Sequence, residues 1–232
     1  VAHPVEAVIF DLDGTLIDHI GSVTAALHAW LPTLGAAATA GLVNAWFEAE
    51  ERHFPARRIR EITFAEQRRR RLREFLPLVG LTPGDDDSLD VVFSRYLACY
   101  AAAWTKFEDV DPVLDVLAGT ELGIAVLTNG IIDQQNAKID AVGLRGRVGR
   151  VCTAEELGVA KPERSTYLAV CAALGVHPGA ALHVGDRHDL DVLAARAAGL
   201  QAVHVDRSGA GPFDEPHRIT SLAQLPTLLR EW

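Results

Sequence analysis

From about residue 109 onward the chain alternates short β-type runs with helical patterns, and this alternation constrains the fold more than any single residue does. Apolar runs at 124–127, 148–152, 181–184 and 202–205 have strand length, and helical patterns fit at 112–117, 133–142, 163–174 and 189–198. Connections this short predict βαβ crossovers and a parallel sheet with helices on both faces. Far upstream, the run Val5-Glu6-Ala7-Val8-Ile9 reads as a further buried strand of that sheet.

Residues 18–104 carry almost no strand signal, and 22–31, 39–54, 62–76 and 89–104 show helical spacing or strong helix formers. The expected fold class is α/β: a Rossmann-like doubly wound parallel sheet core, residues 1–16 and 106–232, with an inserted all-helical cap domain, residues 17–105. The ends of the insertion, near Leu16 and Lys106, are expected beside the first strand, so the helices could act as a lid over the carboxyl edge of the sheet. The Gly-rich segment 208–212 reads as an incidental surface loop before a last helix over 221–229, and no internal repeat stands out.

Directly behind the first strand, Phe10-Asp11-Leu12-Asp13-Gly14-Thr15 sets two carboxylates two residues apart. Open α/β sheets bind ligands beyond the carboxyl ends of their strands, so Asp11 stands where chemistry is expected. Three more segments fall at predicted strand ends or helix starts. Leu127-Thr128-Asn129-Gly130 offers a hydroxyl, an amide and backbone N–H groups that favour an anion. Lys161-Pro162 brings a cation, with Pro opening the next helix. Gly185-Asp186-Arg187-His188-Asp189-Leu190-Asp191 clusters three carboxylates.

In this order and at these places the four segments resemble the motifs of the haloacid dehalogenase-like hydrolase superfamily, across essentially the whole chain. The insertion behind the first motif resembles that family's first type of helical cap, and Thr128-Asn129-Gly130 is similar to the form found in its nucleotide and sugar-phosphate phosphatases. The resemblance implies a Mg²⁺-dependent phosphatase that hydrolyses a small phosphomonoester through an aspartyl-phosphate.

The residue types suit those roles. Asp11 is the expected nucleophile, since a carboxylate attacking phosphorus splits one difficult displacement into two easier ones. Asp11 and Asp186 supply carboxylate ligands for Mg²⁺, and the resemblance adds the backbone carbonyl of Asp13. The Asp13 side chain protonates the leaving group and then deprotonates the hydrolytic water. Lys161 neutralises charge between nucleophile and phosphoryl oxygens, and Thr128 donates to one of those oxygens. Asn129 joins Thr128 and Lys161 as an expected substrate contact. By resemblance Asp191 orients Lys161 or a metal-bound water, whereas Asp189 reads as a helix N-cap. His183 reads as a core residue and His188 as a loop residue, neither of them a metal ligand.

Residues 57–73 hold eight arginines. Four in a row point around a helix at about 100° each, so they form no single basic face. Ile62, Ala65, Leu72 and Leu76 nevertheless make an apolar stripe that includes Arg69, which makes Arg69 a cap candidate for touching substrate.

Several other classes fit less well. Dehalogenases of the family lack the second aspartate of the first motif, and its phosphonate hydrolases need a cap lysine, which residues 18–104 do not contain. A phosphomutase of the β-phosphoglucomutase type stays as an alternative, with Thr15 closer to the phosphatase pattern, as does an inactive binding protein on the same fold. A net charge of −9 disfavours nucleic acid and anionic membranes as partners. The expected partner is a small phosphorylated metabolite, and the expected state a monomer or homodimer. Cys99, Cys152 and Cys171 are odd in number and lack metal-site spacing, so reduced thiols and a cytoplasmic setting are expected, as is the lack of an export signal. Only three of 22 basic residues are lysines, Lys106, Lys138 and Lys161.

Overall fold

A computed structural model describes residues 4–231. The chain folds into two compact units: an α/β unit, which runs to Asp18 and resumes at Thr105, and a helical unit, His19–Trp104.

The α/β unit is built on six parallel strands: β1 Ala7–Phe10, β2 Gly123–Thr128, β3 Arg150–Thr153, β4 Ala181–Gly185, β5 Gln201–Val205 and β6 Arg218–Ile219. Their order is β3-β2-β1-β4-β5-β6. Alternation along each strand feeds two separate cores. Val8, Phe10, Val126, Leu182 and Val184 face one cluster, and Ile9, Ala125, Leu127 and Ala181 face the other. The sheet is therefore covered on both sides, as expected of a doubly wound fold. Behind the insertion come α5 Val110–Ala118, α6 Ile132–Ala141, α7 Ala154–Leu157, α8 Arg164–Leu174 and α9 Ala194–Ala198. Val113 and Leu117 of α5 and Ile139 of α6 pack on the first face, and Tyr167 and Val170 of α8 with Ala195 of α9 on the second.

The helical unit holds α1 His19–Trp30, α2 Ala40–Arg58, α3 Phe64–Phe75 and α4 Asp86–Ala102. Thr39, Thr63 and Asp85 cap the last three by accepting from Leu42, Glu66 and Ser88 N–H. Helix α4 begins three residues before the apolar start at 89, because Asp86 and Asp87 complement the positive end of the helix. A repeat missed in the sequence appears here. Leu31-Pro-Thr-Leu-Gly35 and Leu76-Pro-Leu-Val-Gly80 both form a 3₁₀ turn ended by a left-handed glycine, one behind α1 and one behind α3. The core is aromatic, with Trp46 centroids 4.5 Å from Tyr96, 4.9 Å from Phe75 and 5.3 Å from Trp30.

Other expectations need correction near the C-terminus. Strand β6, only two residues long, carries no readable periodicity. The single helix expected over 221–229 is a 3₁₀ turn Leu222–Gln224, then α10 Leu225–Leu228, then a further 3₁₀ turn Leu229–Glu231. The Gly-rich loop is not incidental, since buried Asp206 accepts from Ala210 N (3.0 Å), Gly211 N (2.7 Å), Ser208 Oγ (3.1 Å) and Arg218 Nε (2.8 Å). Among the described residues no helix is long and apolar enough to cross a membrane, and the three cysteines are free.

Candidate active site

Asp11 follows the last residue of β1, and its N–H still donates to Val184 O at 2.8 Å. Asp186 follows the last residue of β4. The two acids thus stand at the carboxyl ends of adjacent central strands, at the point where the strand order reverses. Gly14, at φ +95°, makes this approach possible: a Cβ there would collide with the Asp186 carboxylate.

Lys161 enters from the loop before α8, with only 2% of its surface exposed. Its Nζ lies 2.6 Å from Asp11 Oδ1 and 2.6 Å from Asp191 Oδ1. Asn129 locks the lysine backbone, donating from Nδ2 to Lys161 O (2.9 Å) and accepting from Lys161 N at Oδ1 (2.8 Å). One bond at each end of the Asn129 amide thus goes to the Lys161 backbone, a structural role that the sequence did not show. Gly130 N, in the segment expected to favour an anion, donates to Thr128 Oγ1 (3.3 Å), and Ile132 N, at the start of α6, donates to Glu155 (2.9 Å). Pro162 stands outside α8, whose N-cap position is Glu163.

Asp191 lies on a wide π turn, His188–Leu193, directly behind Asp186. Its Oδ1 accepts from Lys161 and from His183 Nε2 (3.1 Å), and its Oδ2 from Arg187 N (3.0 Å). Asp189 is therefore not the cap of this turn, whose N-cap position is Arg187, and its exposed carboxylate lies 3.7 Å from the Arg187 guanidinium. His183 is a core residue against Tyr167, with Asp191 as its polar partner. His188 belongs to the π turn rather than a loop, and pairs with buried Glu215 at 3.1 Å.

Burial pushes the Asp11 carboxyl up to about 6; Lys161 opposes the rise, and Asp191 and Asp13 add to it. Burial, then Asp11 and Asp191, raise Asp186 well above the ordinary carboxylate range. Burial also works against ionised Asp191, but Lys161 and His183 outweigh it and hold that group below its ordinary value. Lys161 is itself raised despite burial, by Asp11 and Asp191.

Sequence reasoning missed the partners of Asp13. Lys138 Nζ reaches both of its carboxylate oxygens, at 2.6 and 2.8 Å, and Gln135 Nε2 donates to Oδ2 at 2.9 Å and to Thr128 Oγ1 at 2.7 Å. The rarity of lysine was the available signal for Lys138. Arg69, by contrast, is corrected. The buried face of α3 is Gln67, Arg71, Leu72 and Phe75, and Arg69 forks onto Asp90 (2.8 and 2.5 Å) and Asp86 (2.8 Å) of α4.

A model of the haloacid dehalogenase-like hydrolases matches residues 5–199. The chain belongs to this hydrolase family. It is 34% identical over 147 residues to the phosphoserine phosphatase of Thermus thermophilus, covering 63% of this chain and 57% of that protein. It is 34% identical over 131 residues to the N-acylneuraminate-9-phosphatase of Rattus norvegicus, covering 54% and 52%. These matches span little more than half of either relative. A longer match, 28% identical over 205 residues, joins 88% of the chain to 84% of the glyceraldehyde 3-phosphate phosphatase of Methanopyrus kandleri. Among solved structures, the magnesium-bound HAD-hydrolase YfnB of Bacillus subtilis shares the fold, with a TM-score of 0.84 over 98% of this chain and 99% of that one at 18% identity.

The donor set of this haloacid dehalogenase-like hydrolase fits a hard divalent cation. Carboxylate oxygens of Asp11, Asp186 and Asp191 lie within 4.8 Å of one another. Both oxygens of Asp191 already hold N–H donors, which leaves Asp11 and Asp186 as the acids that would take the ion. Burial, with the neighbouring carboxylates adding to it, raises the proton affinity of both acids, and a divalent cation there would favour their ionised forms.

Proposed function

We propose that the protein is a Mg²⁺-dependent phosphatase that hydrolyses a small phosphomonoester, of the nucleotide or sugar phosphate class, through an aspartyl-phosphate on Asp11. The observation that carries this reading is the gathering of Asp11, Asp186 and Lys161 at one strand edge with a second aspartate, Asp13, two residues on. The phosphatases among its relatives support it, and Asp13 weighs against the dehalogenase chemistry of other family members. Mg²⁺, held by Asp11, Asp186 and the Asp13 carbonyl, would neutralise phosphoryl charge beside the nucleophile.

The remaining work falls to this chain's own side chains. An Asp11 oxygen forms a bond to phosphorus as the ester P–O bond breaks, and Asp13, protonated against the pull of the Lys138 ammonium, gives its proton to the departing alkoxide. Asp13 then takes a proton from water, whose oxygen attacks phosphorus, and the P–O bond to Asp11 breaks to release phosphate. Lys161 balances the charge on Asp11, and the Thr128 hydroxyl donates to a phosphoryl oxygen. The free cysteines support a reducing, cytoplasmic setting.

The test is phosphate release from a panel of phosphomonoesters, with and without Mg²⁺, for wild type and Asp11→Asn. Metal-dependent release that falls at least about 10³-fold in the variant is expected. Bisphosphate-dependent isomerisation without net release would instead favour a phosphomutase.

A further inference from the structure

We propose that Gln135 and Lys138 are positioning residues that hold Asp13 and Thr128 in register for both phosphoryl-transfer steps. This rests on the phosphatase reading and assigns work to two side chains outside the four motifs.

Gln135 and Lys138 lie three residues apart on α6, so they project from one face of the helix. Both are buried, at 2% and 3% exposure, whereas a quarter of the Asp13 side chain is open to solvent (26%). The ammonium and the amide therefore fix the carboxylate from behind and leave an open side for a reactant. Lys138 contacts both oxygens, which sets the plane of the carboxylate, and Gln135 marks Oδ2 as the second anchor.

The same amide also determines what Thr128 can do. A hydroxyl has one hydrogen and two acceptor sites. Both acceptor sites of Thr128 Oγ1 are filled, by Gln135 Nε2 at 2.7 Å and Gly130 N at 3.3 Å. Its hydrogen is left for an outside acceptor, which is the polarity that an anion-binding hydroxyl needs. The two hydrogens of one NH₂ group thus tie the proton shuttle to the phosphate donor.

Two further observations make the amide's orientation deliberate. Gln135 Oε1 is buried with no partner, so the contacts of Nε2 decide which way the group faces. At Gly130 a Cβ would collide with Nε2, so the amide packs flush on the Thr128-Asn129-Gly130 turn.

A purely structural staple between α6 and the sheet would slow all substrates alike, whereas positioning of a proton donor would not. The test compares p-nitrophenyl phosphate, whose leaving group departs without a proton, with the alkyl phosphomonoester best turned over in the panel. Enzyme in excess gives the first-turnover rate for each, in wild type, Lys138→Met, Gln135→Leu and the equal-sized Gln135→Glu. We expect Lys138→Met and Gln135→Leu to slow the alkyl ester by about 10²-fold, the lower end of what general acid catalysis contributes, with less than about a tenfold loss of p-nitrophenolate release. Gln135→Glu, which offers Thr128 an acceptor in place of a donor, should also weaken competitive inhibition by inorganic phosphate. Equal losses on both esters, or an unchanged alkyl rate, would overturn the proposal. Asp11→Asn separates the two readings: persistence of release from both esters in that variant would remove the phosphatase mechanism itself.

Discussion

In the α/β unit Asp11, Lys138, Lys161 and Asp191 are all buried, whereas in the helical unit the charges of α3 lie mainly in surface pairs and Trp30, Trp46, Phe75 and Tyr96 fill the interior. The helical unit's buried cation, Arg71, lies over the Trp46 ring at 4.4 Å and pairs with Glu50 at 3.1 Å. Burying charge is expensive, and replacing such a pair by apolar residues often stabilises a protein. Charge concentrated at one sheet edge therefore marks chemistry rather than stability, and the aromatic interior of the other unit marks the reverse.

The contrast breaks most visibly at Lys161. Lys161→Met leaves Asp11 and Asp191 facing each other without their cation, and we expect a loss of about 3–5 kcal/mol of stability with near-complete loss of turnover, read by urea denaturation and phosphate release. In the helical unit Trp46→Ala should cost a comparable 3–5 kcal/mol or slightly less, through the cavity it opens among Trp30, Phe75 and Tyr96. Tryptophan fluorescence follows that loss chiefly through Trp30 and Trp104, which stay in this unit when Trp46 is replaced, while the fourth tryptophan, Trp232, lies outside it in the sequence.

Acidity separates the buried groups further. Asp11 binds its proton more tightly when folded, at about 6 against 3.8, so the metal-free protein should gain stability, by up to about 3 kcal/mol, as pH falls through that window. Mg²⁺ or Asp11→Asn should flatten this rise. Glu215 has the opposite sign. Burial works against its ionised form, but Arg196 and His217 N–H hold it down at about 2, so its contribution is present above 4.5 and disappears as pH falls toward 2. Urea midpoints at pH 7, 5 and 3 read both effects. The smallest effect is expected at Arg69: Arg69→Ala removes solvent-exposed pairs with Asp86 and Asp90 and should leave turnover and the fluorescence midpoint essentially unchanged.

Much of this was legible because it rests on local patterns. Strand and helix alternation predicted the doubly wound sheet, and the segments around Asp11, Lys161 and Asp186 announced a site through residue type and spacing. What escaped depends on how an element docks. Whether Gln135 and Lys138 face Asp13 follows from the rotation of α6 on the sheet, which helical periodicity alone leaves open. Asn129 looks the same in sequence whether it meets a ligand or clamps the Lys161 backbone. The Arg69 stripe failed because Arg71 satisfies its charge with Glu50 while its planar group covers Trp46, so a charged residue took the buried place. The π turn that carries Asp191 breaks the helical period assumed for 189–198.

The most direct measurement is rapid acid quench of a single turnover of a phosphomonoester, followed by peptide mass analysis. A phosphoryl group transiently attached to the peptide carrying Asp11, and absent from Asp11→Asn, is the expected result. Phosphate release at the wild-type rate with Asp11 unmodified throughout, or with the phosphoryl group on another residue, would contradict Asp11 as the nucleophile.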